Sequence, residues 1–150
     1  MIGWLYSAAD RLRRWKLADD HGRIGEDLAH RYLRKRGCTI VARRYRPLAG
    51  GGEIDIVAWH GGKLVFVEVK TRASGDFGAP ERAVDEWKQS VLARAGREYA
   101  RRAGVEWRNV RFDIVSILLS RPPQIEWLPD AFHAAAESAP RARPAQFAHL

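Results

Sequence analysis

Two acidic residues lie in stretches that otherwise predict β-strands, where aspartate and glutamate are uncommon. Asp55 falls within EIDIVAWH (53–60) and Glu68 within KLVFVEVKTR (63–72). The intervening Gly61-Gly62 is typical of a two-residue hairpin turn, and that turn places Asp55 directly opposite Glu68, with Cβ atoms about 5 Å apart. Two carboxylates at this spacing repel each other unless water or a cation lies between them.

Magnesium is the cation that such a pair favours, because it is a hard ion usually bound through one or two carboxylates and several waters. Lys70 follows Glu68 by two residues, so it projects from the same face and can orient or deprotonate a water. Together these residues predict metal-assisted hydrolysis of a phosphodiester. The competing interpretation is a solvated sheet face carrying surface ion pairs, and spacing alone favours it.

The surrounding pattern predicts an α/β fold with a mixed β-sheet flanked by helices in the order α-β-β-β-α-β, preceded by an extra N-terminal helix. The valine-rich face of the strand at 63–72 is expected to be core. We expect an N-terminal extension over 1–21, one domain over 22–133 and a disordered tail over 134–150. The expected elements are helices at 4–16, 24–36 and 80–103, and strands at 38–45, 53–60, 63–72, 110–119 and 124–128.

Composition limits the functional class. The chain has 150 residues, a formal charge of +8 and one cysteine, which excludes an internal disulfide and a cysteine-based zinc site. No apolar run is long enough to span a membrane and the N-terminus does not predict a secretory signal, so a cytoplasmic location is expected. Residues 1–46 contain 12 basic and 5 acidic side chains. This clustering favours a polyanionic partner, although 21 of the 26 basic residues are arginine, which an Arg-rich genome also produces.

The segment GGGEIDIVAWHGGKLVFVEVKTR resembles the D…E-x-K core of the PD-(D/E)XK nuclease superfamily, which has the restriction-endonuclease-like fold. The chain more closely resembles the YraN-type family of small bacterial proteins. This similarity extends over about residues 22–133 and rests on four blocks in order: GRIGEDLA, GEIDIV, FVEVKTR, and RFDIVSI followed by IEWLPDAF.

The resemblance implies a nuclease dependent on Mg²⁺ (or Mn²⁺). It implies that Asp55 and Glu68 are the metal ligands, that Lys70 positions the water, and that Glu26 is an auxiliary carboxylate from the first helix. From its position alone, Glu26 is equally consistent with a first-turn helix acid favoured by the helix dipole. Superfamily members of this size often act on branched or damaged DNA, and such substrates imply a homodimer.

Basic residues near these blocks are candidates for nucleic-acid contact. Lys88 lies one position beyond the apolar stripe of the helix at 80–103, which includes Trp87, so it also fits an ordinary surface lysine. Arg111 fits a structural ion pair with Asp113. Glu53 shares the face of Asp55 but is expected to be solvated. Two other functions remain open: a non-catalytic nucleic-acid-binding module, and a protein that binds a partner or membrane surface through its basic N-terminal third. The joint presence of Asp55, Glu68 and Lys70 argues against a non-catalytic module. The candidate contacts are Arg34, Lys35, Arg36, Arg43, Arg44, Arg72, Lys88 and Arg111.

Overall fold

A five-stranded sheet lies between two helices in the computed structural model, which describes residues 3–73 and 84–134. The predicted mixed α/β architecture is confirmed, and four strands lie close to their predicted bounds. The last strand was expected over 124–128 but continues to Phe132. In chain order the elements are α1 (Gly3–Lys35), β1 (Thr39–Tyr45), β2 (Ile54–His60), β3 (Lys63–Ala73), α2 (Glu86–Ala103), a 3-10 turn (Trp107–Asn109), β4 (Val110–Leu119) and β5 (Gln124–Phe132).

The strands are arranged in chain order across the sheet, with β1 and β5 at its edges. Only β3 and β4 are parallel, from Leu64↔Val110 to Ala73↔Leu119, while the other three pairs are antiparallel. The connection between β3 and β4 contains α2, as a parallel pair requires a crossover.

The β2–β3 hairpin turns at Gly61-Gly62, as predicted. Both glycines have positive φ, 57° and 76°, which is the conformation that a type I′ turn needs at its two central positions. The ladder runs from His60↔Lys63 to Ile56↔Val67, which confirms the predicted register up to the residues next to Asp55 and Glu68.

Both faces of the sheet are buried, whereas the sequence predicted core on the valine face of β3. Val65 and Val67 pack with Leu33 of α1, while Phe66 packs on the opposite face with Leu92 of α2. A parallel pair covered by its crossover helix on one side and by α1 on the other has no solvated face.

The first helix differs from the prediction. Two helices were expected, at 4–16 and 24–36, but α1 is continuous over 33 residues. A single glycine such as Gly22 costs a helix only about 1 kcal/mol, and an Asp19–Arg23 ion pair at 3.3 Å spans the expected break. The helix stops before Gly37, whose φ is 91°.

Other expectations lie partly outside the described residues. The predicted helix start at Pro80 is one of them, and α2 as described begins at Glu86, where the Asp85 side chain caps it by accepting from the Lys88 N–H at 2.8 Å. The predicted tail is described only at Ala134. Within the described ranges, no helix is long and apolar enough to cross a membrane.

Candidate active site

Asp55 lies where β2 and β3 stop pairing. The ladder ends at Ile56↔Val67, and just beyond it the Val69 N–H donates to Asp55 Oδ2 at 2.8 Å. A backbone donor of β3 thus bonds to a side chain of β2 in place of its backbone. This bond fixes the Asp55 carboxylate against β3, just beyond the end of the β2–β3 ladder.

Glu68 lies beside Asp55 and is incompletely satisfied. Its Oε1 is 3.6 Å from Nζ of Lys88, while its Oε2 is buried and accepts no hydrogen bond from the described part of the chain. Burial raises the pKa of Glu68, against the opposing positive charges of Lys88 and Lys70. A buried carboxylate oxygen without a donor is costly, so this atom indicates a position for an external ligand.

The pKa of the Asp55 carboxyl group is raised strongly by its surroundings. Burial is the largest cause and the nearby charge of Glu68 the second, and together they raise the pKa of Asp55 to about 7. The Val69 N–H and Lys88 act in the opposite direction without cancelling the shift. The site therefore disfavours two unscreened negative charges, as expected where a cation normally binds.

A second group of carboxylates surrounds Asp55 on the side of α1. Oxygens of Glu26, Glu53 and Asp55 lie within 4.8 Å of one another. Arg44 Nε donates to Glu26 Oε2 at 2.7 Å, and Arg46 Nε donates to Glu53 Oε2 at the same distance. Glu26 is therefore held by an arginine of β1, and Glu53 by an arginine that directly follows β1.

A cleft of about 300 Å³ opens beside these acids, between α1 and the end of β3. Asp55 and Glu26 line it together with His21 and Arg72. The cleft places the predicted contact residue Arg72 next to the carboxylates and gives a ligand access to them.

The structure brings together Glu26, Asp55 and Glu68 of the predicted site. Lys70 follows Glu68 on β3, its charge acts on the Glu68 carboxylate, and Lys88 reaches the same carboxylate from α2. Arg43 lies nearby but binds Asp27, at 2.8 Å. These residues come from four elements that meet at the end of the sheet away from the β2–β3 turn.

The remaining predicted contacts lie elsewhere. Arg34, Lys35 and Arg36 are exposed at the end of α1, next to the start of β1, which pairs with the turn end of β2. Arg111 also lies near the turn, where Nε and Nη2 donate to the two oxygens of Asp113 at 2.8 Å. The predicted structural ion pair of Arg111 and Asp113 is confirmed.

Sequence reasoning underrated Lys88 and Glu53. It put Trp87 in the buried stripe of α2 and Lys88 outside it, but Trp87 is 36% exposed and Lys88 faces Glu68. The spacing of Val84, Lys88, Val91 and Leu92 is itself helical, so a stripe that admits one lysine was available as a signal. Glu53 was expected to be solvated, but it joins the carboxylate cluster.

Comparison with known families supplies the context for this geometry. The model of the uncharacterised protein family UPF0102 matches residues 25–117. The chain belongs to the UPF0102 family. A UPF0102 protein of Solibacter usitatus is 66% identical over 132 residues, which cover 88% of this chain and 100% of that relative. UPF0102 proteins of Koribacter versatilis and Dictyoglomus thermophilum are 48% and 43% identical, each over 74% of this chain and over 78% and 95% of their own lengths.

The UPF0102 match includes every carboxylate of the site. Glu26 lies at its start, and Asp55 and Glu68 lie within it. The first two-thirds of α1 and the whole of β5 lie outside the matched range. The candidate active site is therefore part of the region that defines UPF0102.

Proposed function

We propose that this UPF0102 protein is a metal-dependent nuclease that hydrolyses phosphodiester bonds in nucleic acid. The observation that carries the proposal is the buried Oε2 of Glu68, which has no hydrogen-bond donor in the described part of the chain and lies beside the half-buried carboxylate of Asp55. Such a pair is unfavourable by itself and favourable around a divalent cation.

The residues present fit Mg²⁺ or Mn²⁺, since carboxylate oxygens are the ligands that these hard cations prefer. Asp55 and Glu68 would hold the ion, with Glu26 as a third carboxylate on the side of the cleft. When bound, the ion supplies Lewis-acid activation of a phosphate and of a water.

The other side chains of the site have separate roles. The Val69 N–H keeps Asp55 oriented, and Lys88 keeps Glu68 oriented from the opposite direction. In this proposal Lys70 orients the attacking water and stabilises negative charge that develops on the phosphate. Arg72, at the wall of the cleft, would contact a neighbouring phosphate.

The same pattern supports a finer proposal. An aspartate at the start of β2, a Glu-x-Lys sequence on β3 and a glutamate on α1 resemble the PD-(D/E)XK site, which supports a restriction-endonuclease-like fold and a YraN-type relationship. We propose DNA in the cytoplasm as the substrate, with branched or damaged DNA as the first forms to test and a homodimer as the form that cuts them.

The test is cleavage of single-stranded, duplex, flapped and four-way DNA in Mn²⁺ or Mg²⁺. We expect cleavage of at least one form by the original protein and none by Asp55→Asn. Lys70→Ala should still bind Mn²⁺, as seen by a thermal shift, but should cleave much more slowly. Salt-sensitive binding without cleavage by the original protein would replace the nuclease with a non-catalytic binding module.

A further inference from the structure

Arg44 has a backbone conformation that is unusual for its residue type. Its φ is +52°, and among the described residues other than glycine only Asp130 also has a positive φ. For a residue with a Cβ atom this conformation costs about 1–2 kcal/mol. Strain of this kind persists where the surrounding contacts require it, and it is common at functional sites.

The contacts of Arg44 show what the conformation achieves. Consecutive side chains of a regular strand point to opposite faces, so neighbouring arginines on β1 should not reach the same helix. Here Arg43 Nη1 binds Asp27 at 2.8 Å and Arg44 Nε binds Glu26 at 2.7 Å, although Asp27 and Glu26 both belong to α1. The left-handed residue breaks the alternation of the strand and turns both guanidinium groups toward α1.

Glu26 is the acid that this arrangement holds in place. Its side chain is only 12% exposed, and its carboxylate lies within 4.8 Å of the carboxylate oxygens of Asp55 and Glu53. Arg43 approaches Glu26 only at 3.5 Å, so Arg44 is its close partner. Arg44 contacts one oxygen of Glu26, which leaves the other available to a cation.

We propose that Arg44 is a positioning residue of the metal centre, which holds the Glu26 carboxylate toward Asp55 so that Glu26 binds the same cation. This inference rests on the proposed function, and it gives Arg44 a role different from the nucleic-acid contact that its charge predicted. Hydrogen-bond partners that orient a ligating carboxylate commonly contribute about 10–100-fold to metal affinity.

The experiment measures the dissociation constant of Mn²⁺ from the free-Mn²⁺ signal in electron paramagnetic resonance. The proteins are the original chain, Arg44→Ala, Arg44→Gly, Asp55→Asn and the matched control Arg43→Ala. We expect both Arg44 variants to bind Mn²⁺ about 10-fold more weakly. Arg43→Ala should stay within about threefold of the original protein, because its close partner is Asp27.

Arg44→Gly distinguishes the loss of the guanidinium group from an effect on the stability of the fold. Glycine adopts a positive φ without strain, so this variant should melt at or above the temperature of Arg44→Ala while losing as much Mn²⁺ affinity. If Arg44→Gly binds Mn²⁺ as tightly as the original protein, or more tightly, Arg44 is no positioning residue and instead is neutral or competes with the cation. If the original protein and Asp55→Asn bind Mn²⁺ equally, the proposed function fails and this inference fails with it.

Discussion

At the scale of single residues, the ionised Asp55 carboxylate is a source of instability in the metal-free protein. Its pKa rises from the ordinary value of 3.8 to about 7, so the folded protein holds this proton more tightly than the unfolded chain does. The energetic cost of ionisation is therefore absent below about pH 4 and complete above pH 7. Stability contributed by this group falls as the pH rises through that interval.

Asp55→Asn is expected to stabilise the metal-free protein by about 1–2 kcal/mol at pH 8, because it removes one of two neighbouring buried charges. At pH 5 the gain should be much smaller, since Asp55 is then mostly protonated in the folded state. Urea unfolding in the presence of a chelator at both pH values measures the difference. A gain of equal size at pH 5 and pH 8 would exclude ionisation as its cause.

Asp113→Asn is the control, since Asp113 is another strand aspartate, which is fully buried and completely hydrogen-bonded. Asp113 accepts from Arg111 through both oxygens, from Trp127 Nε1 at 2.9 Å and from the Asp130 N–H at 2.9 Å. Its replacement leaves the guanidinium of Arg111 without its counterion and should destabilise the protein by about 3 kcal/mol. The two substitutions should therefore change stability in opposite directions in the same urea experiment.

The residues of the site differ in how far sequence could predict them. Asp55 and Glu68 were predictable because a Gly-Gly turn fixes a register and a register fixes cross-strand neighbours. Arg44 was not, because its partner depends on a left-handed residue inside β1, and arginine gives no sign of that conformation. The role of Lys88 depends on the rotation of α2 about its axis. The predicted buried stripe included Trp87 in place of Lys88, so the predicted rotation was wrong by one residue.

At the scale of secondary-structure elements, two glycines of α1 have opposite roles. A Cβ atom at Gly25 would lie 1.8 Å from Oγ1 of Thr71, so this glycine allows α1 to pack closely on β3. A Cβ atom at Gly22 would have no neighbour within 4 Å. The first glycine is required for packing, and the second only lowers helix propensity.

Gly25→Ala should destabilise the protein by about 1–3 kcal/mol, because the methyl group forces α1 away from the end of β3. Gly22→Ala should stabilise it by about 0.5–1 kcal/mol through backbone entropy. Thermal melts of both variants test the pair, and adding Thr71→Ser to Gly25→Ala should not restore stability, since the hydroxyl remains. A destabilised Gly22→Ala would contradict the continuous helix.

The bounds of the strands could be predicted from sequence more accurately than the way in which the elements pack. Strand β4 was predicted with its observed bounds because its apolar run is almost uninterrupted. The continuity of α1 was missed, since two helices were predicted at 4–16 and 24–36, although one glycine without a proline, here Gly22, does not end a helix.

At the scale of the whole molecule, less positive charge is available to contact a nucleic acid than the composition suggests. Arg43, Arg44 and Arg46 belong to the basic first third, yet each forms an ion pair with Asp27, Glu26 or Glu53. The exposed cations at the end of α1 are those of Arg34, Lys35 and Arg36, and they lie far from the carboxylates along the sheet. A nucleic acid contacting both regions would have to run along α1.

Replacing Arg34, Lys35 and Arg36 together by glutamine should flatten the salt dependence of DNA binding. Each lost phosphate contact changes the slope of log K against log salt by about 0.9, so a change of about 1–3 is expected. Fluorescence anisotropy between 50 and 200 mM salt measures it. The control with the same change of charge replaces Arg101, Arg102 and Arg108, which are exposed near the end of α2 and of which the last two form ion pairs. Equal flattening by both triple variants would show an effect of net charge alone.

The two-residue turn between β2 and β3 also affects the order in which the chain folds. Strands β2 and β3 can pair after closing a very short loop, whereas β3 and β4 must first bring Leu64 to Val110 across the segment that contains α2. The two acids therefore approach each other in the hairpin before α2 brings Lys88 to Glu68. Their repulsion should slow folding, so that in stopped-flow kinetics Asp55→Asn should accelerate refolding more than it slows unfolding.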